Sequence, residues 1–414
     1  MADERRSTEG EGTRLSNILS DFTIFHKEAT GRIVGNGGES EADFVLYQLC
    51  NGNVIIEANA RGFTKLTMRS TAWSPMSVRG KAFELKGHTE TGLLFKAENA
   101  IIIAGPQSNG TTTKLGFALD PSKHLALRRS DATCSRSKSF VFALANVLES
   151  RYFRVPLEQK YNVLFRRDVQ DEQLLTVMKH MRLPAFTGWL TVESASGGEI
   201  SIDYAEDLVN DITHLLSLAE GHLVSALHAK ALDIQGNLAQ MHIWDARTGR
   251  PVPQFALIDG KYTAMFLRCT WPTLRSMPDK QQFKVILEYY LCAKELGIVQ
   301  DDLLNGCLVL EMVANLSECL RQLSYSKKVE RILAQYKVEF DDLFRSAAEL
   351  RELRGDIMHN GRVKEERRLS AYQASRNLLA LLDRLFLAML QYDGELRDWS
   401  REGRMRTMTE VTRK

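Results

Sequence analysis

Arg354 and His359 stand five positions apart in the string LRGDIMHNGR, near the end of a long helical pattern. Reading back from Arg354, apolar residues recur at Leu350, Ala347, Leu343 and Phe340. That spacing of three and four is the core stripe of an amphipathic helix. Arg354 falls on the stripe where an apolar residue is expected, and a guanidinium without a partner is costly to bury. A stripe that turns cationic points to a groove, a partner subunit or an anionic ligand. His359 is followed by Asn-Gly, a helix-stop signal. A side chain that can move protons near neutral pH therefore sits at a helix end, beside a permanent cation that can grip phosphate oxygens in pairs.

Other residues extend this set. Glu311 lies between Leu308 and Met312 on the apolar stripe of an earlier helix, with Asn315 one turn later. A carboxylate there needs a partner, and Arg354 is the natural one. Glu311 would orient Arg354 or contact a substrate; a plain structural ion pair fits the pattern equally. Asp356 reads as a cap or a solvated side chain, and Asn360 follows the histidine. Lys364, Arg367 and Arg368 follow in VKEERR, and the tail from Arg397 carries six basic and three acidic residues. Either could track phosphates, although a charge run is more often a solvated face.

These residues belong to a stretch that is nearly all helix from Lys280. Helices are expected around residues 283–291, ended by Gly297, then through Leu304, Leu308, Met312, Leu316, Cys319 and Leu323. A third covers 329–359 with a break near Lys337, and a last one covers 370–392. Short links between such helices make an antiparallel bundle. Ahead of it the chain punctuates like a β protein. Residues 44–49 and 54–58 read as a hairpin across Asn51-Gly52-Asn53, with further strands at 81–85, 93–97, 100–104 and 114–119. GHTETG (87–92) and GPQSNG (105–110) are turn-rich connectors. The middle is mixed: a helix or buried strand at 140–149, a helix at 171–181, strands at 189–193 and 199–204, a helix at 205–219, strands at 223–232 and 239–244, and a turn at 247–251. The expected class is α+β: a β-rich N-terminal domain, sandwich or barrel, a mixed middle and a C-terminal all-α bundle. The expected segments are a disordered lead at 1–14, a regulatory region at 15–279 with a sub-boundary near 130–150, the bundle at 280–395 and a basic tail at 396–414.

Composition excludes several classes. The 414 residues carry a net charge of +2, so any nucleic-acid contact must come from a local patch. No apolar run reaches the length of a membrane span, and the opening MADERRSTEGEG lacks the apolar centre of a signal peptide. The six cysteines form no CxxC pair and read as reduced thiols of a cytosolic protein. His214, His222, His228 and His242 have no paired-ligand spacing, so neither a metal centre nor a cofactor is expected. GNGGES and SNGTTT lack a following Lys-Ser/Thr and read as turns. No Ser or Cys nucleophile motif occurs.

A C-terminal bundle carrying Arg-x4-His, followed by Asn-Gly and one more long helix, resembles the HEPN superfamily. The whole chain resembles ApeA-type anti-phage defence proteins, which place a β-rich domain ahead of a HEPN domain. FELKGHTETG and the layout LSLAEG … GRPV are similar to that texture. The resemblance implies metal-independent RNA cleavage in abortive infection, with Arg354 and His359 catalytic. The residues themselves add Glu311 to the expected catalytic set and Asn360, Lys364, Arg367 and Arg368 as expected substrate contacts. The resemblance also implies a homodimer whose two motifs share one cleft, and an activator, phage-derived or cellular, acting on the N-terminal region. One departure is Gly355, where the family usually has a polar residue directly after the arginine. Two rival readings stand beside this one: a non-catalytic dimerisation or RNA-binding bundle, and a toxin controlled by a separate partner protein.

Overall fold

The computed structural model describes residues 23–35, 38–49, 52–61, 82–108, 112–119, 123–130, 136–168, 186–233, 237–244, 256–295 and 297–412. Among them the chain is α+β, a large antiparallel sheet followed by a helical region. The chain divides into two compact units. The first is 1–145, 184–206 and 225–248; the second is 146–183, 207–224 and 249–414.

The first unit is built on period-two alternation. Its strands are β1 (Thr23–Gly35), β2 (Gly38–Leu49), β3 (Val54–Arg61), β4 (Ala82–Thr89), β5 (Leu93–Ser108), β6 (Thr112–Ala118), β7 (His124–Arg129), β8 (Arg136–Ser137) and β9 (Ser139–Ala145). After β10 (Tyr152–Leu157) and β11 (Tyr161–Arg167), a hairpin of the second unit, come β12 (Phe186–Ser194), β13 (Ile200–Ser201), β14 (Ser225–Leu232) and β15 (Leu238–Trp244). Along β2, Ser40, Ala42, Phe44, Leu46 and Gln48 are buried and the residues between them face outward, the signature of a half-buried strand. The order β5-β4-β1-β2-β3-β6 closes on itself because β6 also pairs with β5. This ring is a six-stranded antiparallel barrel, and closure leaves no raw edge within it. Its interior holds edge-on aromatic pairs, Phe44 with Phe95 (5.1 Å) and Phe83 with Phe117 (5.9 Å). From β5 the sheet continues through β7, β15, β14 and β9 to β12.

The hairpin expected at Gly52 forms, with Gly52 at φ 90°. The two strands expected at 93–97 and 100–104 are one strand. Asn99 takes φ 56° between them and the register against β4 slips there, so the bulge that looked like a turn only bends β5. Residues 139–145 are strand rather than helix. Beyond Ile200–Ser201, the strand expected at 199–204 has already become helix. The expectations at 1–14, 171–181 and 247–251, and Cys50 and Cys134, lie outside the described residues.

A polar tie inside this unit makes it pH-sensitive. Gln48 is fully buried. Its Nε2 donates to the carbonyls of Leu227 (2.9 Å) and Trp244 (3.0 Å), so its Oε1 accepts from His228 Nδ1 at 3.0 Å. His228 Nε2 is then a buried nitrogen with no partner among the described residues. Burial, with a smaller push from Lys230, lowers the imidazole pKa to about 3. Between the ordinary value of 6.5 and about 3, the unfolded chain binds a proton that the folded one does not. Stability is therefore held above pH 6.5 and lost as pH falls, by at most about 1.4 kcal/mol per pH unit. The urea midpoint should drop between pH 6.5 and 4, and His228→Gln should flatten that slope; an unchanged slope would dismiss His228 as its source.

The second unit carries the helices α1 (Ile202–Glu220, its first residues assigned to the first unit), α2 (Thr263–Ser276), α3 (Lys280–Glu295), α4 (Val299–Asn315), α5 (Tyr325–Gln335), α6 (Ala347–Asn360) and α7 (Ala371–Met389). α2 lies ahead of the expected start at Lys280 and holds Pro272, a residue that argues against helix when read in sequence. A cut at Lys280 would not free an intact bundle. Buried Asp211 holds Arg275 (2.7 Å), Lys280 (2.9 Å) and Lys284. α4 stops at Asn315 instead of running to Leu323. Its buried face is Leu303, Cys307, Leu310 and Val313, whereas Leu308 is exposed. Both faces of α4 are apolar in sequence, so periodicity chose the wrong one. Gly306 settles the matter, because a Cβ there would lie 2.7 Å from Leu378 of α7.

The expected break near Lys337 is present, with Lys337 at φ 57°. Leu343 and Phe340 precede α6 and are not part of it. As far as Thr412 the basic tail is folded. β16 (Glu395–Asp398) pairs with β17 (Arg404–Thr407). Arg406 meets Asp342 (3.1 Å) and Asp398 (3.0 Å), and Arg397 meets Glu149 (3.0 Å) and Asp259 (3.2 Å). Among the described residues no helix is long and apolar enough to cross a membrane.

Candidate functional site

α6 positions the motif, and both of its ends are encoded locally. Ser346 caps the start by accepting from Glu349 N–H (3.3 Å), while the Glu349 carboxylate accepts from Arg345 N–H (2.8 Å). Gly361, at φ 68°, closes the end with its N–H on the Ile357 carbonyl (2.9 Å), the left-handed cap that Asn-Gly signals. Between the caps Ala347, Leu350, Leu353 and Ile357 are buried, and Arg354 lies at the edge of that stripe with its side chain 33% exposed.

Three helices converge on Arg354. Glu311 on α4 accepts from Arg354 Nη2 at 3.1 Å, as its place in the sequence suggested. On α5, the Tyr325 ring lies under the guanidinium, 4.9 Å from centroid to Cζ. Lys328, one turn further along α5, reaches Glu311 (3.4 Å) and Asn315 Oδ1 (3.0 Å). The guanidinium is thus held by a carboxylate and a ring, and the carboxylate is held from its other side by an ammonium that is 8% exposed. Two cations share one anion, so the cluster keeps a net positive charge. Tyr325 and Lys328 were not singled out in sequence. The one available signal was a lysine on the buried face that Val329 and Ile332 define. Beneath Tyr325, burial pushes the Cys307 thiol up to about 11, so this cysteine stays a neutral core residue.

Met358, His359 and Asn360 are exposed at the end of α6. The helix is unbroken from Arg354 to His359, so the two side chains leave it about 140° apart. One copy of the chain does not set them on one face.

The basic residues after the motif have carboxylate partners. Asp356 is buried and takes two hydrogen bonds from Arg367 (2.6 and 3.0 Å), correcting its reading as a cap or a solvated side chain. Those bonds hold the Asp356 carboxyl below its ordinary range. Arg367 also meets Glu352 (2.5 Å), and Arg368 clamps Glu349 (2.9 and 3.0 Å). Lys364 is looser, 3.9 Å from Asp356 and about half exposed. The segment expected to track phosphates is also fastened to α6. The four histidines considered as ligands are engaged with neighbours: His214 with Asn210 and Glu288, His222 with Asn146, His228 with Gln48, and His242 with Glu206 and Gln240.

A Cβ on Gly355 would have nothing within 4 Å. Gly355→Ala should therefore stabilise the helical unit by about 0.5–1 kcal/mol through helix propensity, read as a rise in the urea midpoint. A fall would mean that the open space beside Arg354 is filled by something a side chain displaces.

Compared with known proteins, the chain matches no family model, no curated protein and no solved structure.

Proposed function

We propose that the helical unit is a metal-independent endoribonuclease of HEPN type, acting in anti-phage defence through Arg354 and His359. The observation that carries this reading is the contrast between the two residues. Arg354 is fixed by Glu311 and Tyr325 yet remains a third exposed, while His359 is exposed at the end of the same helix. In the proposed reaction an imidazole takes the proton of an RNA 2′-hydroxyl. The 2′-oxygen forms a bond to the adjacent phosphorus, and the bond from phosphorus to the 5′-oxygen breaks with a proton delivered to the leaving oxygen. Arg354 neutralises the charge that builds on the non-bridging oxygens. Glu311 and Lys328 position Arg354. Because Arg354 and His359 diverge on α6, the site is composite. Two copies related by a twofold axis present two arginines and two histidines to one phosphate.

The non-catalytic reading has Gly355 in its favour, together with the ion pair that already engages Arg354. On that reading the bundle is a dimerisation or RNA-binding platform. Purified protein incubated with a mixed RNA pool in EDTA separates the two. The proposal expects cleavage undiminished by chelation, with 2′,3′-cyclic phosphate or its 3′-phosphate product at the new ends. Cleavage that needs an added divalent ion, or no cleavage by a dimeric and folded sample, would overturn it. Mixing Arg354→Ala with His359→Ala chains should restore part of the activity; a fully active monomer in sedimentation would rule out the composite site.

A further inference from the structure

The outer face of the barrel sheet carries a groove of about 920 Å³ that runs across β3, β2, β1, β4, β5, β7 and β15. Its floor is set by two glycines in register, Gly31 on β1 and Gly87 on β4. A Cβ on Gly31 would lie 2.1 Å from the Lys86 carbonyl oxygen, and one on Gly87 would lie 2.1 Å from that of Thr30. The strands approach too closely there for any side chain, and because both positions share the inward face of buried Ala29, Ile33 and Leu85, it is their backbone that the groove meets.

The walls are cationic in a way that folding alone disfavours. Arg32 on β1 pairs in register with Lys86 on β4, and Lys86 pairs with Lys96 on β5. Three positive side chains thus stand in a row on neighbouring strands, about 4.8 Å apart, and like charges placed directly opposite destabilise a sheet. Arg128 on β7 adds a fourth cation at the register position opposite Leu94, with no carboxylate partner among the described residues. An acidic row offsets part of this charge. Glu39 meets Arg32 (2.9 Å) and Lys86 (3.9 Å), and Glu98 meets Lys96 (2.7 Å). Glu39 and Glu98 lie outside the groove lining, with side chains 44% and 52% exposed. Glu41, opposite Arg32 on β2, and Asp43, 3.7 Å from Arg61 of β3, stand inside it and leave five cations to two carboxylates along its walls. Such pairs are weak in water, so an incoming anion can replace them. On the far side of the cation row stand His88 and Leu94, a ring and an apolar surface.

We infer that this groove binds a single-stranded nucleic acid through its phosphates, with Arg32, Lys86, Lys96 and Arg128 on the backbone and His88 and Leu94 against the bases. The groove spans six inter-strand spacings, about 29 Å. That length suits a run of about four nucleotides, the low end of sites on small β-barrels. The row of cations crosses the strands as a track rather than converging on one point, which favours a linear polyanion over a single phosphate group. The inference is independent of the cleavage reading.

The test is fluorescence anisotropy with 5′-labelled rU12 and dT12 on the full chain carrying His359→Ala, which keeps the RNA intact. Both oligonucleotides should bind at low salt, and the tighter of the two identifies the natural strand. Lys86→Gln/Lys96→Gln/Arg128→Gln should weaken binding at least about tenfold and reduce the log–log salt slope by about 2, roughly 0.7 per lost contact. This variant removes repulsion within the sheet, so it should fold, and its urea midpoint checks that. Lys160→Gln, at an exposed lysine in the β10–β11 turn of the other unit, should leave the affinity unchanged. Three results would overturn the inference: no binding at low salt, an unchanged affinity and slope in the triple-glutamine protein, or complete displacement of the oligonucleotide by tripolyphosphate at equal charge concentration.

Discussion

Alanine at His359 is expected to lower RNA cleavage by about 10²–10⁴-fold, the usual worth of a positioned general acid–base group. The fold should hardly notice. His359 is exposed at the end of α6, and a surface change of this kind stays within about 0.5 kcal/mol, with a further few tenths from the helix dipole. Arg354→Ala should cost cleavage about 10²–10³-fold, since it removes the cation that meets developing phosphorane charge. Its structural cost is limited because Lys328 still holds Glu311 (3.4 Å). Glu311→Gln should act more mildly and through Arg354, raising KM for RNA more than it lowers kcat. Cleavage at wild-type rate by both alanine variants would remove the motif from the mechanism and leave the non-catalytic reading. Equal loss of cleavage and of folding would instead make Arg354 structural, which the urea midpoints of the same samples decide.

The largest stability effect is expected at Asp383, on the helix that follows the motif. On α7 this carboxylate is buried against α3, where it accepts from Lys294 Nζ (2.8 Å) and from the Tyr290 hydroxyl. Lys294 is 1% exposed and also lies over the Tyr290 ring, 4.7 Å from its centroid. Asp383→Ala strands an ammonium in the core and should cost about 3–5 kcal/mol. Such a loss is a large share of the stability of an ordinary domain. Asp383→Leu combined with Lys294→Met and Tyr290→Phe should recover most of it, because a well-packed apolar trio replaces a desolvated charged one. Urea titrations of the single and triple variants decide the matter. A single variant within about 1 kcal/mol of wild type would show that water reaches Lys294 and that the pair does not hold the bundle together.

Much of this protein was legible in sequence where the deciding contacts are local. The hairpin at Gly52, the break at Lys337 and the stop at Gly361 are each written in a few residues whose backbone conformation admits little choice. Period-two alternation marked β2 and β3, and three-to-four spacing marked α3 and α7. The pairing of Glu311 with Arg354, 43 positions apart, was also readable, because each broke an apolar surface with a charge that required the other.

Only the tertiary structure decided the rest. Which face of α4 is buried depended on Gly306 meeting Leu378, a contact that no periodicity within α4 contains. Whether Arg367 and Arg368 face solvent or carboxylates depended on the path of a loop back onto α6. The tail became a hairpin because Arg397 and Arg406 found acids at Glu149, Asp259 and Asp342, up to 248 positions away. Barrel closure likewise needed β6 to return to β5. A sequence displays hydrogen-bonding and packing preferences over about ten residues at a time. A charge, by contrast, is satisfied by whichever partner the whole fold brings within reach, and that is settled only when distant elements pack.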